Sequence, residues 1–303
     1  MYPHFLGIGA QKAGTTWLHS MLSANDHIWV PHLKELHYFD RRFPLAVIDN
    51  QPATGLRRRA VERRFNARIK RVNVAKIKER LAIRRWPDIA WELRYLLGRW
   101  DDDWYQSLFR IKPGRIMGEL TPAYSCLGLQ GIAHIRKLMP SVKLIFLLRD
   151  PVQRAWSHAR MDLMHRTGRK LTEVPEDEFL AHFASSHSRV RGDYIGAIDR
   201  WLSCFPTSQM FLGYYDEVVE RPRELLARIL DFLEVENDGT FVRENVGAAI
   251  NVGVEGNLAP ALREYLVQLY ADSVRELASR FGSYPRLWLS EYEKILAPGL
   301  KRP

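Results

Sequence analysis

The chain has 303 residues, 46% hydrophobic and 26% charged, with a net charge of +10. That composition excludes a disordered or low-complexity chain, and two cysteines exclude a disulfide framework. Cys126 and Cys204 therefore read as buried apolar residues in a reducing, cytoplasmic setting.

The first element expected is a buried strand over Phe5–Gly9, since Met1–Gly7 has neither the basic start nor the apolar stretch of a signal sequence. Gln11-Lys12-Ala13-Gly14-Thr15-Thr16 follows, then Trp17–Leu22 with apolar residues at helical spacing. Ile28–Val30 reads as a second strand, ended by Pro31. Leu56–Trp86 has Val61, Phe65, Ile69, Val72, Ile77 and Leu81 at helical spacing with a basic opposite face. Within it, Arg57–Arg85 holds thirteen Lys and Arg against Glu62 and Glu79, so the remainder of the chain is close to neutral.

Arg115–Leu120 and Lys143–Leu148 read as buried strands, with a helix over Ile132–Leu138 between them. A helix over Ala155–Met164, a strand over Met210–Gly213 and helices over Pro222–Leu233 and Leu258–Phe281 complete the pattern. Strands alternating with helices predict an α/β class: a single domain with a mostly parallel central sheet flanked by helices. No apolar run is long enough to span a membrane.

Two segments carry chemistry. A strand that feeds a glycine-containing turn into a helix N-terminus points backbone N–H groups and the positive end of the helix dipole at one spot, which suits an anion. Gly14 permits close approach, Lys12 adds charge, and Thr15 and Thr16 add hydroxyls. A Walker lysine would follow the second glycine, whereas Lys12 precedes Gly14. The second strand, Lys143–Leu148, ends in Arg149 where a kinase-like strand would end in a magnesium-holding acid. Arg149 and Ser157 bracket the turn and first helical turns after it, so both are placed to face one phosphate. Two anion sites at the carboxyl ends of parallel strands suit a ligand with two phosphate-bearing ends.

On these residues the chain resembles the sulfotransferases that use 3'-phosphoadenosine-5'-phosphosulfate (PAPS). Gln11–Leu18 is similar to their 5'-phosphosulfate loop, and Leu147–Pro151 with Arg154 and Ser157 to their 3'-phosphate motif. Lys34-Glu35-Leu36-His37-Tyr38-Phe39-Asp40, Trp104-Tyr105, Glu119–Tyr124, Tyr194 and Trp201 resemble the heparan sulfate sulfotransferases and their bacterial relatives. The resemblance runs from about Phe5 to Phe281. It implies PAPS as donor and 3'-phosphoadenosine-5'-phosphate (PAP) as product, held by Lys12, Ala13, Gly14, Thr15, Thr16, Trp17, Arg149 and Ser157, with no metal. It places Glu35 as the base that takes the acceptor's proton and Lys12 on the leaving phosphate. His37 is the competing base, since its ordinary pKa suits neutral pH.

The chain departs from the heparan-type pattern in three places. Leu120 stands where a lysine often follows the glutamate, no late Lys-Gly-Arg is present (Asn251–Gly256 stands in its place), and the disulfide has no counterpart. These departures argue against a glycosaminoglycan acceptor; the expected acceptor is a saccharide, a glycolipid or a small alcohol, taken at a hydroxyl or an amine. The basic stretch reads as part of a helical insertion at about 41–100 in one domain over 1–303. It is a solvated face, an acidic-acceptor trap or a peripheral contact with anionic membrane. Nucleic acid is not expected, because no recognition motif accompanies the charge. The other readings are a P-loop kinase or NTPase and a non-catalytic protein that binds anionic surfaces.

Overall fold

The computed structural model describes residues 1–46, 86–109, 115–236 and 258–297. The basic stretch Arg57–Arg85 and the segment Asn251–Gly256 lie outside the described residues. The chain divides into two compact units, Met1–Tyr2 with Asp49–Pro113, and Pro3–Ile48 with Gly114–Pro303.

In the larger unit β1 (Phe5–Gly9) leads into α1 (Thr15–Ala24), β2 (Ile28–Trp29) and α2 (Phe39–Arg42). The smaller unit holds α3 (Trp86–Leu97) and α4 (Asp102–Ser107). Asp101 caps α4 by accepting from the Trp104 amide at 2.8 Å. Aromatic rings fill the unit: Trp91 stacks on Tyr95 at 5.6 Å and Trp100 on Trp104 at 4.4 Å. Trp104 and Tyr105 are buried there.

The larger unit resumes with β3 (Ile116–Leu120), a 3-10 turn over Pro122–Cys126, α5 (Leu129–Leu138) and β4 (Lys143–Leu148). Next come α6 (Pro151–Thr167), α7 (Glu176–Ala184), α8 (Ser186–Gly192) and α9 (Tyr194–Leu202). β5 (Met210–Tyr214), α10 (Tyr215–Glu220), α11 (Pro222–Phe232), α12 (Pro260–Phe281) and α13 (Ser283–Leu296) complete it. Among the described residues the predicted strands and helices are present with ends shifted by a few residues, while the helix expected over Leu56–Trp86 lies outside them except for Trp86. Helices α2, α4, α7 to α10 and α13 were not predicted.

The five strands form one sheet in the order β2-β3-β1-β4-β5, and every pairing is parallel. A parallel sheet needs crossover connections, which cover its faces and explain why β1 and β4 read as unbroken apolar runs. All five residues of β1 are buried. A Cβ at Gly118 would lie 2.3 Å from the Phe5 ring, so glycine is what lets β3 pack against β1. β1 pairs with β3 on one side (Phe5 opposite Gly118) and with β4 on the other (Phe5 opposite Lys143). The loops after β1, β3 and β4 therefore emerge side by side at the carboxyl edge. Among the described residues no helix is long and apolar enough to cross a membrane.

Candidate active site

The loop after β1 enters α1 through Gly14, whose φ of 86° is in the left-handed region. A Cβ there would lie 3.2 Å from Tyr215 and Val218, so glycine serves both the turn and the close approach. The first bond of α1 runs from the Leu18 amide to the Gly14 carbonyl at 3.0 Å. The amides of Thr15, Thr16 and Trp17 precede it in the first helical turn, where an anion is favoured. The Trp17 indole is buried, so its offering to a phosphate is its backbone N–H. The Ala13 amide closes the loop on itself, donating to the Ala10 carbonyl at 3.2 Å.

Arg149 sits at the end of β4 and ties that strand to the loop after β1. Its Nη1 donates to the Lys12 carbonyl at 3.1 Å, and its guanidinium lies 4.4 Å from the centre of the Tyr215 ring. Its own carbonyl accepts from the Tyr194 hydroxyl at 3.0 Å. Asp150, next in sequence, caps α6 by accepting from the Val152 amide at 3.1 Å and also accepts from the Tyr292 hydroxyl. Burial raises its pKa. Ser157 is half-buried in the second turn of α6.

Cations gather around the loop. Lys12 has φ 72°, and its Nζ is 3.7 Å from Met161 Sδ on α6. Burial pushes the Lys12 pKa down, and the charges of Arg149, Arg160 and Lys34 push it further; Glu35 opposes them. Arg160 lies one helical turn beyond Ser157 on α6. Burial and the Arg149 charge lower its pKa too. Arg191 on α8 donates from Nε to Gln11 Oε1 at 2.8 Å.

Glu35 is fastened to the end of β3 by its amide, which donates to the Leu120 carbonyl at 3.2 Å. Leu120, at the position where a lysine is often found, is buried. Lys34 Nζ donates to Glu35 Oε1 at 2.9 Å and to the hydroxyls of Thr15 at 3.3 Å and Thr16 at 3.2 Å. One ammonium thus bridges the phosphate loop and the carboxylate. The other Glu35 oxygen is 3.3 Å from His37 Nε2, and His37 Nδ1 is 2.8 Å from Asp40 Oδ2.

This pairing sets protonation. Burial works against ionising Glu35, but the His37 hydrogen bond and the Lys34 and His37 charges outweigh it and lower its pKa to about 2. Burial likewise works against a charged His37, yet its bonds to Asp40 and Glu35 raise its pKa to about 9. Near neutral pH Glu35 is a carboxylate and His37 an imidazolium, with no lone pair free to take a proton.

The two expected bases are therefore brought into contact, and Lys12, Arg149, Thr15 and Glu35 share the carboxyl edge. A pairing of Glu35 with Lys34 is readable from their adjacency and is present, whereas no role was read for Asp40, Arg160 or Arg191. Two carried a readable signal: Asp40 is three residues from His37, and Arg160 is three from Ser157 on a predicted helix.

Comparison with known proteins agrees with this geometry. A model described as the Sulfotransferase family matches residues 3–239. Over 139 residues the chain is 31% identical to human heparan sulfate glucosamine 3-O-sulfotransferase 3B1, covering 43% of this chain and 34% of that protein. It is 32% identical over 138 residues to the human heparan sulfate glucosamine 3-O-sulfotransferase 6, covering 43% and 39%. The matched stretch thus spans about a third of the length of these curated relatives. A sulfotransferase from Alicyclobacillus acidocaldarius superposes with a TM-score of 0.62 at 22% identity, covering 95% of this chain and 99% of that one. Mouse sulfotransferase SULT7A1, solved with PAP, gives 0.51 at 16%, covering 96% and 88%. At those identities the likeness is one of fold.

Proposed function

Because this chain belongs to the sulfotransferase family, we propose that it moves a sulfuryl group from PAPS to an acceptor hydroxyl or amine, with a saccharide or glycolipid as the acceptor class. The named 3-O-sulfotransferase relatives favour the saccharide. The observation that carries the reading is the bridge made by Lys34, which joins the threonines of an anion-binding loop to an ionised carboxylate. Two functions, holding a phosphosulfate and accepting a proton, then lie within one side chain's reach.

In this reading the amides of Thr15, Thr16 and Trp17 hold the 5' end of the donor, and Arg149 with Ser157 the 3'-phosphate. The acceptor oxygen or nitrogen attacks sulfur in line as the bond from sulfur to the bridging phosphate oxygen breaks. The electron pair of that bond leaves with the phosphate, where Lys12 balances the growing charge. Glu35 takes the acceptor's proton. A carboxylate of such low pKa is a weak base in the resting site. Lys34 corrects this by turning from Glu35 toward the sulfuryl oxygens, which removes one of the charges that hold the Glu35 pKa down. His37, already protonated, keeps Glu35 oriented. On the same reading residues 1–303 are one sulfotransferase domain with a basic insertion at about 41–100, and the insertion gathers acidic acceptor.

Titration calorimetry with PAP in the presence of EDTA tests the donor assignment. Binding with micromolar or tighter affinity is expected, together with weaker binding of adenosine 5'-monophosphate. Preference for Mg-ATP over PAP would instead support a kinase.

A further inference from the structure

Helix α6 carries Arg154 and His158 one turn apart, and packs against α7, α8 and α12. Arg154 is 0% exposed. Its Nη2 donates to the Ser188 carbonyl at 3.3 Å and the Tyr270 hydroxyl at 3.4 Å. Its Nε and Nη1 are buried and have no hydrogen-bond partner among the described residues. Among those residues no carboxylate forms an ion pair with it either. Asp162, on the same helix, lies 3.2 Å from Arg166 Nε and 3.3 Å from His182 Nε2.

Two more polar atoms in the same cluster are unpaired among the described residues. Ser188 Oγ, in a residue 0% exposed, and His158 Nδ1, in a residue 2% exposed, are both buried without a partner. Ser188 touches Arg154 through its carbonyl, and the His158 ring lies 4.9 Å from that of His182 and 5.4 Å from that of His187. Burial and the Arg154 charge both lower the His158 pKa, so the imidazole is neutral and cannot supply compensation.

A guanidinium cannot shed its proton at any pH a protein survives. Burying one without a counter-charge is among the largest penalties a fold can carry, and a water molecule would satisfy its N–H groups without balancing its charge. We propose that Arg154, Ser188 and His158 hold a small monovalent inorganic anion of the halide class, chloride in ordinary solution, as a buried counter-ion that fastens α6 to α8. The guanidinium offers N–H donors only, and the Ser188 hydroxyl and the His158 Nδ1–H tautomer can turn to donate beside it, which with the fixed positive charge suits an anion over a cation. Arg154 belongs by resemblance to the 3'-phosphate motif, but at 0% exposure it does not face an open site, so this assignment does not rest on the sulfuryl-transfer reading.

The test uses the whole protein. Thermal melts are recorded from 0 to 0.5 M sodium chloride, with sodium gluconate holding ionic strength constant. Specific binding to the folded state is expected to raise Tm by about 3–6 °C across that range. Ser188→Ala should reduce the rise and Arg154→Met should abolish it. Crystals grown in sodium bromide should show an anomalous peak within contact distance of the Arg154 guanidinium. Equal Tm in chloride and gluconate would overturn the proposal, as would a chloride response unchanged in Ser188→Ala. If Arg154→Met does not fold, the bromide map of the native protein decides alone: a peak beside Arg154 supports the site and its absence overturns it.

Discussion

The phosphate loop and the Glu35 loop lie at the same edge of the sheet and treat charge in opposite ways. Around the phosphate loop Lys12, Arg149 and Arg160 repel one another, and burial adds to the cost of keeping Lys12 and Arg160 charged. Across from it, Lys34, Glu35, His37 and Asp40 alternate in sign and hold each other within 3.3 Å. Unmatched cations store affinity for an anion that arrives with the ligand. Matched charges fix protonation states before anything arrives. On the proposed reading, binding and proton transfer are prepared by different electrostatic means, and Lys34 is the residue common to both.

Four changes would break or sharpen that contrast. The largest effect is expected from Glu35→Gln, which keeps shape and removes the proton acceptor: transfer should fall by about two to four orders of magnitude while PAP affinity stays within a few-fold. Rates and calorimetry on the same preparation check this. Lys12→Ala should lower kcat by about 10²-fold at saturating donor, since its charge matters most as the phosphate leaves. Normal kcat with a raised KM alone would remove it from that role. Arg149→Ala should weaken PAP by about ten- to a hundredfold, equivalent to ~1.5–3 kcal/mol for a charged hydrogen bond; unchanged affinity would contradict its assignment to the 3'-phosphate.

The smallest effect is expected at His37. With its pKa raised from 6.5 to about 9, it is protonated at pH 7 and only orients Glu35, so His37→Gln should cost less than about tenfold. The wild-type kcat/KM should be level from about pH 5 to 8, because Glu35 is ionised throughout. A base at His37 would instead lose about tenfold per pH unit below 9. Stability gives a second reading. A raised pKa means the folded state binds the proton more tightly, so the stabilisation from this pairing is full below about pH 6.5 and is lost as pH rises through about 9. Melts of His37→Gln against wild type should therefore differ at pH 6 and converge near pH 10.

Much of the frame was legible because a parallel sheet buries both faces and leaves apolar runs such as Lys143–Leu148. The strand–turn–helix geometry of the loop after β1 was legible because apolar periodicity resumes directly after Gly14. The Glu35 loop was legible only in part. Its residues could be named through family resemblance, but the choice between Glu35 and His37 turns on Asp40 taking the far side of the imidazole. Lys12, Glu35 and His37 have φ values of 72°, 68° and 55°, a region that residues without special need rarely enter. No glycine or asparagine marks those positions, so propensity could not reveal them. Helices α7 to α9 escaped notice because they are short and separated by single residues, Ser185 and Asp193, leaving no long apolar period to read.

The placement of β1 has a consequence for how the protein is made. Of the described strands, the one at the middle of the sheet is synthesised before the others, yet its partners lie more than a hundred residues later, at Gly118–Leu120 and Lys143–Phe146. At ordinary translation speeds the apolar segment Phe5–Gly9 waits on the order of ten seconds for its neighbours. Contacts so distant along the chain also slow folding after synthesis. The phosphate loop that β1 carries depends on Arg149 for its hold on Lys12. A nascent chain stalled before Leu148 would contain the complete loop sequence and lack the Arg149 contact that holds it. The segment read first in the sequence is among the last to acquire its function.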